Sequence, residues 1–259
     1  MVAATDRDPR RVLSKRHDTI ELLLDDAYSK PELVEELGCS RSTVDRAVNE
    51  LLETGCIERT RRNASRYSAT TLGGLMFQAH RTYRETVDDL QSAAPVLTTM
   101  PADAPISSAI IRDAEIHRSV RTPDIAFRPA QELLPDATRM IGTAPVVYRE
   151  YFQVLNRRCD RGSFELEIVM ESDLSDSVAE NYSAEFETLT GFDSTTVYRT
   201  DESVPYGLWV MELPESAVAG ITFYNEGGVP GTIVNESADA VEWATERYAE
   251  FKRTAVEST

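Results

Sequence analysis

The sequence predicts an α+β chain in two parts, a small helical N-terminal region closed by a short hairpin and a larger mixed region, joined by one long helix. Three observations predict it. Apolar residues recur at helical spacing in three short runs before residue 53. Two extended stretches around an Arg-rich turn follow them directly. Beyond residue 105, strand-like runs mix with amphipathic helical ones.

Residues 1–15 are polar, contain Pro9 and have no apolar period, so they read as a loose tail. Ile20, Leu23, Leu24 and Ala27 mark a first helix over 16–28. Pro31 stands where a second helix can begin, Leu33, Val34 and Leu37 form its apolar face, and Gly38 ends it. Ser40 caps a third helix whose inward face is Val44, Ala47, Val48, Leu51 and Leu52, and Gly55 stops it. Stretches 56–60 and 66–70 read as strands joined by Arg61, Arg62, Asn63, Ala64 and Ser65. Residues 16–71 are therefore expected to form one domain. Over 72–90 apolar residues fall at 72, 75/76, 79, 83, 87 and 90, the alternating threes and fours of a helix paired with a partner, so 72–92 reads as a linker and dimerisation helix. Pro95, Pro101 and Pro105 place the domain boundary at 93–105, with 93–259 as the second domain. There, 106–111, 116–120, 138–141, 164–170, 195–199, 208–213, 219–224 and 232–234 read as strands, and 146–158, 174–189 and 237–255 as helices.

The formal charge of −17 argues at first against a nucleic-acid partner, but its distribution reverses that. Residues 1–84 hold 14 Lys and Arg against 13 Asp and Glu, a net of +1, while 85–259 hold 13 against 31, a net of −18. Only Lys15, Lys30 and Lys252 are lysines; the other 24 cationic residues are arginines. Abundant acid with almost no lysine is the balance expected of a protein from a salt-rich cytoplasm, and equally of an acidic protein from a GC-rich genome. Cys39, Cys56 and Cys159 are too few and too far apart for a disulfide framework or a zinc site. No apolar leader or membrane-length run is present, so the expected location is the cytoplasm and no membrane partner is expected.

A short helix, a tight turn at Gly38 and a capped second helix make a helix-turn-helix, and the hairpin supplies a wing. With the apolar positions inward, the third helix presents Arg41, Ser42, Thr43, Arg46 and Asn49 outward, side chains that contact phosphates and read base edges. Asp45 on that face is expected to pair with Arg41 or to accept from a cytosine amine. Arg61, Arg62 and Arg66, with Arg59, concentrate charge in the hairpin, suited to the backbone or minor groove. Solvated helix pairs, Arg41 with Asp45 and Arg46 with Glu50, are the plainer alternative. The order of the elements favours a DNA-binding winged helix-turn-helix, with double-stranded DNA as partner.

Residues 32–48 (ELVEELGCSRSTVDRAV), 51–55 (LLETG), Arg66-Tyr67 and 70–73 (TTLG) resemble the winged-helix half of haloarchaeal transcription regulators. The C-terminal half is similar to the sensor domain these share with a methanogenesis regulatory protein, at 139–147 (RMIGTAPVV), 205–209 (PYGLW), 228–231 (GVPG), 235–237 (NES), Ala240 and Trp243-Ala244. In that pattern Glu236 stands where Asp is expected. The resemblance covers most of 16–255 and implies a homodimeric transcription regulator with a sensor domain.

Catalysis is not expected. His17, His80 and His117 are the three histidines, none in a metal-binding pair spacing. Gly227, Gly228 and Gly231 lie between strands without the helix that would make a phosphate loop. No catalytic residue, metal or cofactor is assigned. A ligand pocket is expected around Tyr206, Trp209, Tyr224 and Asn235, with Phe223 and Asn225 nearby, although these residues suit an aromatic core and turns equally well. The function expected is a homodimeric, sequence-specific DNA-binding regulator controlled by a small molecule. The alternatives are a second domain that only oligomerises, or an enzyme fused to a DNA reader.

Overall fold

The computed structural model describes residues 8–119, 124–225 and 228–258. Contacts divide the chain into two units, 1–87 and 88–259. The N-terminal unit begins with α1 (Pro9–Lys15), α2 (His17–Asp25), β1 (Tyr28–Ser29), α3 (Lys30–Leu37) and α4 (Arg41–Glu53). It continues with β2 (Ile57–Arg59), β3 (Arg66–Ala69) and the first part of α5 (Thr71–Leu97). The strands form an antiparallel sheet in the order β1-β3-β2. This is the expected winged helix-turn-helix, with two departures. Part of the expected tail, from Pro9, is helical because Asp8 caps α1 and Val12 and Leu13 are buried in the core; residues 1–7 of that tail lie outside the described residues. The helix expected to run to Tyr28 ends at Asp25, and Tyr28 pairs with Tyr67 instead.

Local chemistry sets the helix-turn-helix angle. Ser29 and Glu32 form a capping box at α3, and Pro31 occupies its first turn. Gly38 closes α3 in the left-handed region at φ 59°, where a side chain would be strained, and Ser40 accepts from the Thr43 amide to start α4. The buried face of α4, namely Val44, Ala47, Val48 and Leu51, lies in a core with Ile20, Leu23 and Leu33. At the far side of α4, Glu50 Oε2 accepts from Arg16 Nε at 2.7 Å, with both side chains largely buried.

α5 continues through Pro95 to Leu97, past the expected boundary at 93, and buries Ala93 and Val96 in the second core. That unit continues as a 3-10 turn (Ser108–Ile110), β4 (Glu115–Arg118), α6 (Asp124–Leu133), β5 (Arg139–Ala144), α7 (Arg149–Asp160), β6 (Glu165–Glu171), α8 (Ser172–Asn181) and α9 (Ser183–Thr190). It ends with β7 (Thr195–Thr200), β8 (Gly207–Glu212), β9 (Ala217–Asn225), β10 (Gly228–Asn235), α10 (Ala238–Arg253) and β11 (Val256–Glu257). Eight strands run in the order β11-β7-β6-β5-β8-β9-β10-β4. The β5–β6 and β6–β7 pairs are parallel and the others antiparallel. Both faces are covered. Ile141, Val169, Leu208, Val210 and Ile221 face α10 through Ala244, Tyr248 and Phe251. Leu166, Ile168, Met170 and Met211 face Phe152 and Leu155 of α7 and Phe186 of α9.

Two expectations need correction here. The 106–111 run is a loop and 3-10 turn rather than a strand. The helix expected over 174–189 is two helices, broken at Tyr182. Helix α6, in a stretch to which the sequence assigns no element, forms despite Pro129. The strand expected over 116–120 is seen as Glu115–Arg118, Val120 lying outside the described residues.

Candidate nucleic-acid interface

Capping and burial fix which face of α4 is free. Arg41, Ser42, Arg46 and Asn49 are exposed, and Thr43 is half-buried with its hydroxyl 2.9 Å from that of Ser40. Arg46 Nε donates to the Ser42 carbonyl at 3.1 Å, which holds the guanidinium along the first turns of the helix. Arg61 and Arg62 are exposed in the turn between β2 and β3. Among the described residues Arg41, Arg46, Arg61 and Arg62 have no carboxylate partner, so their charge is available to an anionic surface.

Two charges expected on this surface are committed elsewhere. Asp45 pairs with Lys30 Nζ at 2.7 Å, not with Arg41. Its carboxyl is held below the usual range, chiefly by the Lys30 hydrogen bond, with a smaller contribution from Arg41. Arg66 sits in β3 with Nη2 2.9 Å from both Glu32 oxygens, so this wing residue clamps the start of α3. Glu50 pairs with Arg16 and not with Arg46. Each of these partners is remote in sequence, so local spacing gave no sign of it. Arg59 lies over the Tyr67 ring, 5.8 Å from its centroid.

The expected ligand residues are separated by the sheet. Tyr206 is fully buried on the α10 face, donates to the Pro105 carbonyl, and has its hydroxyl pKa raised by burial. Asn235 is 5% exposed, and its Nδ2 donates to the carbonyls of Arg112 at 2.7 Å and Ile110 at 3.2 Å while its Oδ1 accepts from the Ser237 amide at 2.8 Å. Both side chains are buried and bonded to backbone groups of their own unit. Trp209 and Tyr224 do come together, on the opposite face, lining a cavity of about 120 Å³ with Phe127 of α6 and Tyr151 of α7. Sequence reasoning missed Phe127 and Tyr151 because they lie on helices distant in the chain.

The Trp209 indole lies flat over Gly220, its cross-strand partner, where an added Cβ would fall 2.1 Å from the ring. Its Nε1 is buried without an acceptor. The Tyr151 and Tyr224 hydroxyls are 3.4 Å apart, a long contact, and burial pushes the Tyr224 hydroxyl up to about 12. Both phenols therefore stay protonated donors at neutral pH. Among the described residues the group of metal-type donors is His17, Asp18 and Glu21, within 4.8 Å of one another. The two carboxylates are exposed on the first turns of α2, where acid offsets the helix dipole. No helix among the described residues is long and apolar enough to cross a membrane.

Residues 10–92 match the family profile of the HVO_A0261 N-terminal domain, and residues 126–254 that of the middle domain of the methanogenesis regulatory protein FilR1. No curated protein sequence matches the chain. Among solved structures, the archaeal chromatin protein TrmBL2 aligns over 94% of this chain and 93% of its own at 11% identity, TM-score 0.42. A polyphosphate kinase from Porphyromonas gingivalis aligns over 74% of this chain and 28% of its own at 11% identity, TM-score 0.39. A protein assigned to the IclR family of transcriptional regulators, from Rhodococcus sp., aligns over 96% and 92% at 16% identity, TM-score 0.21. Structural likeness at this level carries no functional argument, whereas the two sequence profiles, separated by residues 93–125, account for most of the chain. The chain thus joins, in this order, an HVO_A0261 N-terminal domain and a middle domain of the FilR1 kind.

Proposed function

We propose that the chain is a sequence-specific transcription regulator that binds double-stranded DNA as a homodimer and is controlled by a small molecule held in its second domain. The observation that carries the DNA-binding reading is the free face of α4: Arg41, Ser42, Arg46 and Asn49 stand outward while the opposite face is buried. The first turns of such a helix enter a major groove, with Arg46 to guanine, Asn49 to adenine, and Arg61 and Arg62 on the backbone.

Dimerisation is supported by α5, which leaves Leu72, Leu75 and Tyr83 exposed at 48%, 62% and 65%. Met76, Ala79, His80 and Tyr83 also border an open groove of about 1300 Å³ beside α1. Apolar surface of this kind on a helix seam fits a second copy. Half-sites then lie about one helical turn, roughly 34–36 Å, apart. A Met76→Glu/Tyr83→Glu variant is expected to be monomeric by light scattering; an unchanged dimer puts the interface elsewhere.

The test of the reader uses an operator recovered by genome-wide binding. Arg46→Ala is expected to weaken operator binding by about 1–3 kcal/mol while affecting random DNA little. Arg62→Ala should weaken both about equally. If the Arg46 variant binds the operator as the parent does, α4 is not the reader.

A further inference from the structure

We propose that the cavity between the sheet and helices α6 and α7 binds one uncharged, ring-sized aromatic molecule carrying a single hydrogen-bonding group. The inference rests on the effector reading above and adds to it the chemical class of the effector.

Size comes first. The cavity holds about 120 Å³. An apolar protein cavity of about 150 Å³ accommodates benzene, so this smaller, partly open one takes at most a single ring with a small substituent, not a nucleotide or a sugar phosphate. Charge comes second. Among the described residues no charged side chain lines it; the lining is apolar or aromatic apart from Gln131, Thr143, Thr222 and the two tyrosines. A carboxylate there would lose its hydration with no cation to replace it.

The polar groups then define the substituent. Thr143 is fully used, donating to the Tyr206 carbonyl and accepting from the Leu208 amide. Thr222 shares its hydroxyl contact with Thr232 at 3.1 Å. Gln131 is exposed and keeps its water, so what remains inside is the loose Tyr151–Tyr224 pair, in which one phenol can donate to the other while the second donates to a guest, and the Trp209 indole N–H without an acceptor. All three offer donors, so the guest brings an acceptor such as a hydroxyl or carbonyl oxygen. Phe127 and Tyr151, edge to face at 5.2 Å, provide the aromatic wall that a ring contacts best.

The probes are phenol, toluene and benzoate, titrated into the full chain at molar KCl by calorimetry. A Trp243→Phe background leaves Trp209, one of two tryptophans, as the fluorescent reporter on the cavity wall. Phenol is expected to bind saturably at one site, to change Trp209 emission and to raise the melting temperature, with benzoate at least tenfold weaker. Tyr151→Phe keeps the shape and removes one donor. It should cost phenol about threefold to tenfold while leaving toluene unchanged, the range of one neutral hydrogen bond. Ala130→Phe, which fills the space, should abolish both; if it fails to fold, the Tyr151→Phe comparison still decides. No saturable phenol binding, benzoate binding as tightly as phenol, or a Tyr151→Phe variant with an unchanged phenol-to-toluene ratio each overturns the proposal. Operator affinity with and without saturating phenol tests the effector reading separately. Binding in the cavity with no change at the operator leaves the ligand class standing and removes the regulatory role.

Discussion

Replacing Asn235 by alanine removes three well-formed bonds at once: two from Nδ2 to the Arg112 and Ile110 carbonyls and one to Oδ1 from the Ser237 amide. The first two hold the 3-10 turn and the residues after it against β10, and the third fixes the cap of α10. At about 1 kcal/mol net per buried bond, with no solvent to take over the stranded carbonyls, the substitution should cost about 3 kcal/mol. Asn235→Asp is the sharper test. It keeps the acceptor for Ser237 but turns a carboxylate oxygen toward carbonyls, including that of Ala109 at 3.5 Å from Nδ2. Its folded-state pKa is then raised above the unfolded value of about 3.9. The folded state retains a proton that the unfolded chain releases, so the variant loses stability relative to the parent as pH rises from about 4 toward neutrality. Urea unfolding followed by tryptophan emission suits the assay, because Trp209 and Trp243 both report on the unit that contains Asn235. An alanine variant within about 0.5 kcal/mol of the parent, or an aspartate variant whose deficit is equal at pH 5 and pH 7, would refute a keystone role.

Three other outcomes are expected. Glu50→Met removes the carboxylate that pairs with the Arg16 guanidinium, itself 8% exposed, and should lower the stability of the N-terminal unit by about 3 kcal/mol, whereas adding Arg16→Met should recover most of it; hydrogen exchange of the α4 amides reads this directly. Burial raises the Glu167 carboxyl, but hydrogen bonds from Lys252 and Arg139 outweigh it and hold the group below its ordinary 4.5. The stability it contributes is complete above that value and is lost as pH falls below it, so Glu167→Gln should be less stable than the parent near pH 6 and should flatten the acid limb of the unfolding curve. Operator binding should persist at molar KCl with a salt slope shallower than about −0.9 per phosphate contact, because screening also removes repulsion between DNA and a C-terminal part carrying −18; a steep loss of affinity with circular dichroism unchanged removes the salt-adapted reading.

The winged helix was legible because its signals are local. The capping box at Ser29, the glycine at 38, the cap at Ser40 and the apolar spacing of α4 each act within a few residues of where they are read. The second unit was legible strand by strand but not as a site. In β8 five of six residues are buried because both faces are covered, so no alternation marks which side Tyr206 and Trp209 occupy, and they lie on opposite sides. The apolar run 106–111 matches a strand in composition, yet the side chain of Asn235 draws it into a turn from more than a hundred residues away. The partners of Asp45, Arg66 and Glu50 were hidden for the same reason: Lys30, Glu32 and Arg16 are neighbours only once the chain has folded.

The eight-stranded sheet ends on its shortest strands, two residues in β11 and four in β4. A neighbouring molecule approaching either border finds room for only a few backbone bonds before the ladder stops. β4 carries Glu115, His117 and Arg118, and β11 carries Glu257, so an incoming strand must also bring matching charge. Brevity persists where ionic repulsion does not. In concentrated salt, charges more than about 3 Å apart no longer keep acidic molecules from touching. Geometry then guards against sheet-to-sheet growth, and Val256, 72% exposed on β11, can be carried at the rim without seeding a fibril.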